Sequence, residues 1–347
     1  MSALPATAAG TAAAGTAAAS TAAGGAPPIL RVDALEVRYA LDGAVIAAVR
    51  AVSLDVAAGE CLGVVGESGS GKSQMVLAWL GLLARNARIE GSVRFEEQEL
   101  LGLPAAALNR IRGSKLSMVF QDPMSSLTPH VRIGVQLGEV LVHHAGATWS
   151  DAERAALDML ERVQVPDARR RLRQYPHELS GGMRQRVMIG MSLMCGPALV
   201  IADEPTSALD VTVQAQILAL LREVRAQSGM SVVLISHDPG VVASLAERIV
   251  VMYAGRVVES APTMELLRAP RHPYTSLLIE CAPSLQGARL DRMPSIQGLP
   301  PNPLEPEIGC AFAPRCPRVT ERCREERPAL VRIDGAAQVA CHHPLAP

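Results

Sequence analysis

The chain has 347 residues, a formal net charge of −1, 49% hydrophobic and 19% charged residues. At roughly 150 residues per domain, this length holds about two domains and a sizeable core. Near-neutral charge and 3% aromatic residues argue against bulk electrostatic or base-stacking recognition of nucleic acid. The mean hydropathy of +0.19 owes most to alanine, and no uninterrupted apolar run reaches the ~18 residues of a membrane-spanning helix.

Residues 1–28 are almost entirely Ala, Thr, Gly, Ser and Pro, which predicts a disordered tail. They lack the basic start and strongly apolar centre of an export signal, so a cytosolic chain is expected. Residues 29–60 alternate apolar and polar side chains, predicting two or three antiparallel strands. Cys61–Val65 is a short apolar strand leading into Gly66-Glu67-Ser68-Gly69-Ser70-Gly71-Lys72-Ser73, and a helical run follows over 74–83. This is the G-x-x-x-x-G-K-[ST] phosphate loop in its required strand–loop–helix context. Its glycines let backbone N–H groups converge on a phosphate. Lys72 supplies a positive charge to the β/γ-phosphates, and the Ser73 hydroxyl suits Mg²⁺.

Further strands are predicted at 89–95 and 116–120, the latter ending on Gln121. Residues 129–195 read as a helical insertion, with helices over 132–145, 151–164 (capped by Ser150) and 181–194. The basic run at 169–173 reads as a solvated helix face. In Leu179-Ser180-Gly181-Gly182-Met183-Arg184-Gln185, Ser180 caps a helix whose first N–H groups the glycines expose, a second anion-binding helix end. Strands resume at 199–202, 231–235 and 249–252. The first ends in Asp203-Glu204, at the strand edge where open α/β sheets bind ligands. Asp210 caps the next helix, and Ser236-His237 follow the next strand. Strands alternating with helices predict an α/β fold with a mainly parallel sheet covered on both faces. Beyond residue 263 one helix is predicted over 272–281, then a Pro-rich extended stretch at 294–306, with no obvious sheet.

Of seven cysteines, Cys61, Cys195 and Cys281 read as buried thiols. Cys310, Cys316, Cys323 and Cys341 have the spacing C-x5-C-x6-C-x17-C, which matches neither the short chelate pairs of zinc sites nor the ferredoxin pattern. Disulfides are disfavoured in the cytosol. Four thiols on a segment without a core point to a metal staple, in which His342 or His343 could replace a ligand.

The set GESGSGKS (66–73), Gln121, LSGGMRQR (179–186), LVIADEP (199–205), SALD (207–210) and Ile235-Ser236-His237, in this order, resembles the ATP-binding cassette (ABC) ATPases over residues 29–260. The resemblance implies a P-loop NTPase ABC cassette: a RecA-like core with an antiparallel β subdomain and a helical subdomain. It implies a head-to-tail dimer in which one cassette's phosphate loop and the other's LSGG helix enclose ATP. Lys72 and Ser73 would bind phosphate and Mg²⁺, and Gly66, Ser68, Gly69, Ser70, Gly71 and Gln74 belong to the same nucleotide cradle. Gln121 would contact Mg²⁺ or water, Asp203 support Mg²⁺, Glu204 act as general base and His237 hold the γ-phosphate. Ser180, Gly181 and Gly182 would serve the partner's ATP, Asp210 would lie at the cassette interface, and Tyr39 matches the aromatic that stacks on adenine.

A narrower likeness runs through GKSQ (71–74), FQDPM (120–124), YPHE (175–178), 191–195, MYAGR (252–256), HPYT (272–275) and Gly309-Cys310-x-Phe312-x-Pro314-Arg315-Cys316-Pro317. These resemble the ATPases of bacterial oligopeptide and dipeptide permeases, closest to the D-type subunit. Gln297 and Ile308 depart from that pattern. The likeness implies pairing with an F-type ATPase, docking through residues 122–150 and the helical insertion on two transmembrane permease subunits, and supply by an extracytoplasmic peptide-binding protein. The location implied is the cytoplasmic face of the cell membrane. A [4Fe–4S] cluster is implied at the four cysteines, with zinc or metal-free thiols as alternatives. The expected division is a tail (1–28), a cassette (29–262, helical subdomain 129–195) and a C-terminal extension (263–347). The rival readings are an importer of another small solute such as nickel, a soluble non-transport ABC ATPase, and a nucleotide-binding module without turnover. The presence of Glu204 and His237 opposes the last.

Overall fold

A computed structural model describes residues 27–41, 44–122, 126–207, 209–282, 295–305 and 307–347. Of the tail expected at 1–28, residues 1–26 lie outside the described residues, as do Pro123, Met124 and Ala208 of the motifs above.

Twelve strands are found among the described residues. β1 (Leu30–Leu41), β2 (Ala44–Val56), β4 (Ala87–Phe95) and β5 (Gln98–Glu99) form an antiparallel sheet in the order β2-β1-β4-β5. The second sheet contains β3 (Cys61–Val65), β6 (Leu116–Val119), β7 (Leu199–Asp203), β8 (Ser231–Ser236), β9 (Arg248–Tyr253), β10 (Arg256–Pro262), β11 (Val331–Arg332) and β12 (Gln338–Val339). Its order is β11-β12-β10-β9-β3-β8-β7-β6, parallel from β9 through β6. Every residue of β3, β7 and β8 is buried, which is why these strands read as unbroken apolar runs.

Side-chain alternation divides the core between the two sheet faces. Leu62, Val64, Leu199, Ile201, Val233 and Ile235 pack with the antiparallel sheet and the helix Lys72–Trp79. Cys61, Val65, Val200, Ala202, Val232 and Leu234 pack on the opposite face with the helices Ile133–Ala145, Trp149–Arg162, Gly181–Leu193 and Val211–Ser228. The basic run lies on a short helix, Ala168–Arg171.

Several boundaries differ from expectation. The helix after the phosphate loop stops at Trp79, because Arg112 donates to the carbonyls of Leu80 (2.6 Å) and Gly81 (3.0 Å) and closes its end. The second insertion helix starts at Trp149. Thr148, not Ser150, caps it by accepting from the Asp151 N–H at 3.2 Å. Cys61 is buried, whereas Cys195 and Cys281, each just past a helix end, are only half-buried.

The C-terminal segment does own strands. A tight turn with positive φ at Ala254 (48°) and Gly255 (81°) sends β10 back along β9, and β12 extends the sheet beyond it. The carboxylate of Glu259, 1% exposed, accepts from the N–H groups of Arg271 (2.7 Å) and His272 (2.9 Å) and holds the start of the helix Pro273–Glu280. Glu259→Ala leaves two buried donors unpaired. We expect a loss of about 3 kcal/mol, read as a lower midpoint of thermal unfolding; an unchanged midpoint would refute the assignment.

Candidate functional site

The phosphate loop leaves β3 at Val65 and enters the helix Lys72–Trp79. Two of its glycines are demanded by close approach. A Cβ on Gly66 would stand 2.2 Å from the Met252 carbonyl oxygen, and one on Gly71, at φ 97°, 2.3 Å from that of Ala48. The Lys72 ammonium lies within the loop, donating to the carbonyls of Gly66 (2.7 Å) and Glu67 (2.9 Å) and to Ser70 Oγ (3.3 Å). Burial pushes its pKa down, opposed by the carboxylates of Glu204 and Asp203. Ser68 and Gly69 are exposed at the loop tip.

Asp203 ends β7 and is 4% exposed. The Ser73 hydroxyl donates to its carboxylate, while Oδ1 is buried and makes no hydrogen bond to any described residue. Burial raises its pKa, and Glu204 adds to the rise. A buried carboxylate with one uncompensated oxygen beside a serine hydroxyl fits a pair of oxygen donors for Mg²⁺.

Glu204 takes the left-handed conformation at φ 46°, and its N–H donates to the Ile235 carbonyl at 2.9 Å. This strained turn turns the carboxylate toward two other sequence-derived candidates. Gln121 Nε2 donates to Oε2 at 3.3 Å, and His237 Nδ1 lies 3.2 Å from Oε1. The structure thus gathers Lys72, Ser73, Gln121, Asp203, Glu204 and His237 from the ends of four parallel strands. The Tyr39 hydroxyl donates to Gln74 Oε1, which places this aromatic beside the helix that follows the loop.

Ser180, Gly181 and Gly182 are not gathered there. Ser180 caps the helix Gly181–Leu193 by accepting from the Met183 N–H at 3.4 Å, and none of the three hydrogen-bonds to the phosphate loop. Asp210 is likewise exposed and caps Val211–Ser228, accepting from Val213 at 3.0 Å.

Motif reading missed the surroundings of Glu67, a variable position of the loop. Its N–H donates to Tyr274 Oη at 2.8 Å, and both its carboxylate oxygens pair with Arg315. The sequence signal was Arg315 itself, inside a motif of otherwise unassigned role.

Cys310, Cys316, Cys323 and Cys341 line one cavity of about 20 Å³ together with His342 and His343. The N–H groups of Arg318 and His343 donate to the sulfurs of Cys316 (3.4 Å) and Cys341 (3.3 Å). Yet among the described residues no three His, Cys, Asp or Glu side chains are arranged to hold a metal ion. The donor set converges, but this geometry does not support the expected [4Fe–4S] cluster or its zinc alternative. Burial raises the pKa values of the Cys310, Cys316 and Cys341 thiols, that of Cys341 to about 11.

The sheet order and the strand-end site define an ABC ATPase cassette. The ABC transporter family model matches residues 49–207, and that of the oligopeptide/dipeptide transporter C-terminal region matches residues 258–323. The dimeric ATP-binding cassette MJ0796, solved in a post-hydrolysis state with ADP and Pi, aligns with a TM-score of 0.61 at 29% identity, covering 67% of this chain and 98% of its own. The oligopeptide transport ATP-binding protein OppD of Salmonella typhimurium is 46% identical over 317 residues, 91% of this chain and 94% of its own length. The dipeptide transport ATP-binding protein DppD of Escherichia coli is 44% identical over 318 residues, 91% and 97% respectively. The chain belongs to the oligopeptide and dipeptide transport ATP-binding branch of the ABC transporter family. Among the described residues, no helix is long and apolar enough to cross a membrane.

Proposed function

We propose that this chain is the ATP-hydrolysing subunit of a peptide importer, working at the cytoplasmic face of the cell membrane on two permease subunits supplied by an extracytoplasmic peptide-binding protein. The observation that carries the enzymatic part is the junction of Glu204 with Gln121 and His237 at the phosphate loop. Peptide cargo rests on relatives matched along nearly their whole length.

In this reading Gly66–Ser73 cradle the phosphates, Tyr39 and Gln74 face the base side, and Ser73, Gln121 and Asp203 hold Mg²⁺. The ion, when bound, neutralises charge on the β- and γ-phosphates. Lys72 supplies a second, fixed positive charge. Glu204 takes the proton of the attacking water as the bond from the γ-phosphorus to the bridging oxygen breaks, and ADP leaves with that oxygen. His237, tethered to Glu204, orients the γ-phosphate. Ser180–Gly182 and Asp210 complete a partner's site, and an F-type cassette is the partner proposed. The cassette spans 29–262, with its helical subdomain at 129–195, and the extension spans 263–347.

At the four cysteines [4Fe–4S] is the cofactor proposed, on the family likeness and on their lining one cavity; the side chains would have to regroup around it, since among the described residues none are arranged about an ion. Anaerobic purification of the tagged chain from membranes tests the whole. Permease subunits and a second cassette should accompany it, with about four irons and four sulfides per chain. Purification without permease subunits would overturn the transport reading, and zinc or no metal would overturn the cluster.

A further inference from the structure

Arg315 commits two of its five hydrogen-bond donors to the phosphate loop and the other three to the structure around it. Nη1 and Nη2 donate to the two carboxylate oxygens of Glu67 at 2.7 and 2.9 Å. The other three N–H groups donate to Tyr253 Oη (3.2 Å), the Ile296 carbonyl (3.1 Å) and the Gln297 carbonyl (3.0 Å). All five guanidinium donors are used, and the side chain is 4% exposed. A planar fork on a carboxylate fixes orientation as well as position.

The far end of the pair is just as constrained. Glu67 is held at its N–H by Tyr274 and at its carboxylate by Arg315, and its carbonyl accepts from Lys72 at 2.9 Å. Displacing Glu67 therefore displaces an acceptor of the lysine that faces the phosphates. Arg315 sits on the turn Ala313–Arg315, between Cys310 and Cys316, and Cys310 N–H donates to the Cys323 carbonyl at 2.7 Å. The platform beneath is aromatic: Tyr253, Tyr274 and Phe312 pack with ring centroids 4.6–5.4 Å apart.

We propose that Arg315 is a positioning residue for ATP: from the cysteine-bearing turn it fixes the phosphate loop through Glu67, so nucleotide affinity depends on the C-terminal extension. This rests on the ATPase reading above. The consequence is a route by which whatever orders or loosens the cysteine turn changes ATP binding without touching the nucleotide.

The test is equilibrium binding of a fluorescent ATP analogue to the full-length chain and its variants Arg315→Gln, Arg315→Lys, Glu67→Gln and the double Gln variant. Arg315→Gln and Glu67→Gln should each weaken binding by about tenfold. Arg315→Lys, which keeps the charge but not the fork, should fall between them and the unaltered chain. The double variant should bind no worse than the weaker single one, since both remove the same contact. A merely structural role would lower the number of binding sites per chain and leave the Kd of the folded fraction unchanged. In the assembled transporter, the KM for ATP should rise more than kcat falls. Should Arg315→Gln fail to fold, Glu67→Gln and Arg315→Lys decide the matter. Wild-type Kd in both overturns the proposal, whereas an unaltered chain that binds no ATP overturns the ATPase reading itself.

Discussion

Replacing Glu204 by Gln should lower ATP hydrolysis by the assembled transporter about 10³-fold while ATP binding is retained. The substitution keeps the size and planarity of the side chain. An amide oxygen can still accept from Gln121, now 3.3 Å away, but it cannot accept the proton of an attacking water. The backbone supports this choice of base. Glu204 is held at φ 46° by its N–H bond to Ile235, a conformation costing about 1–3 kcal/mol that persists only where surroundings impose it. Turnover measured by phosphate release, alongside nucleotide binding at equilibrium, separates the steps. Unchanged turnover would remove Glu204 from the mechanism, and lost binding would mean that the loop, not the base, had been damaged.

Lys72→Ala should act earlier in the cycle and weaken ATP binding by about two orders of magnitude, about 2.7 kcal/mol. The ammonium is surrounded by the Gly66 and Glu67 carbonyls and Ser70 Oγ, and it is the positive charge of the loop, whose one carboxylate, Glu67, is taken up by Arg315. Lys72→Arg should bind ATP poorly too. A forked guanidinium does not fit three acceptors gathered around one point, although the charge is kept. Titration with the fluorescent analogue gives the result directly, and wild-type affinity in Lys72→Ala would end the phosphate role assigned to this residue.

What was readable from sequence was what is local. A phosphate loop carries its instructions within eight residues, and wholly buried strands such as β7 and β8 announce themselves as unbroken apolar runs. Asp210 was readable as a cap because its bond reaches only to Val213. The misses share a non-local cause. The strands β11 and β12 are two residues each, and only pairing with a distant edge makes them strands. The first helix stops at Trp79 because Arg112, far along the chain, closes it. Thr148 displaced Ser150 as cap because the helix begins two residues earlier than the apolar pattern indicates. Ser180–Gly182 were legible as a motif but not as a location, since their proposed ligand lies on another chain.

The pair between Glu67 and Arg315 spans 248 residues of sequence. During synthesis at ~5–20 residues per second, the loop emerges about 10–50 s before its clamp does. For that interval a nascent chain carries the phosphate loop without the contact that holds Glu67 in place. Under the proposed role of Arg315, full nucleotide affinity is a late-acquired property, reached only when the Ala313–Arg315 turn has left the ribosome and docked.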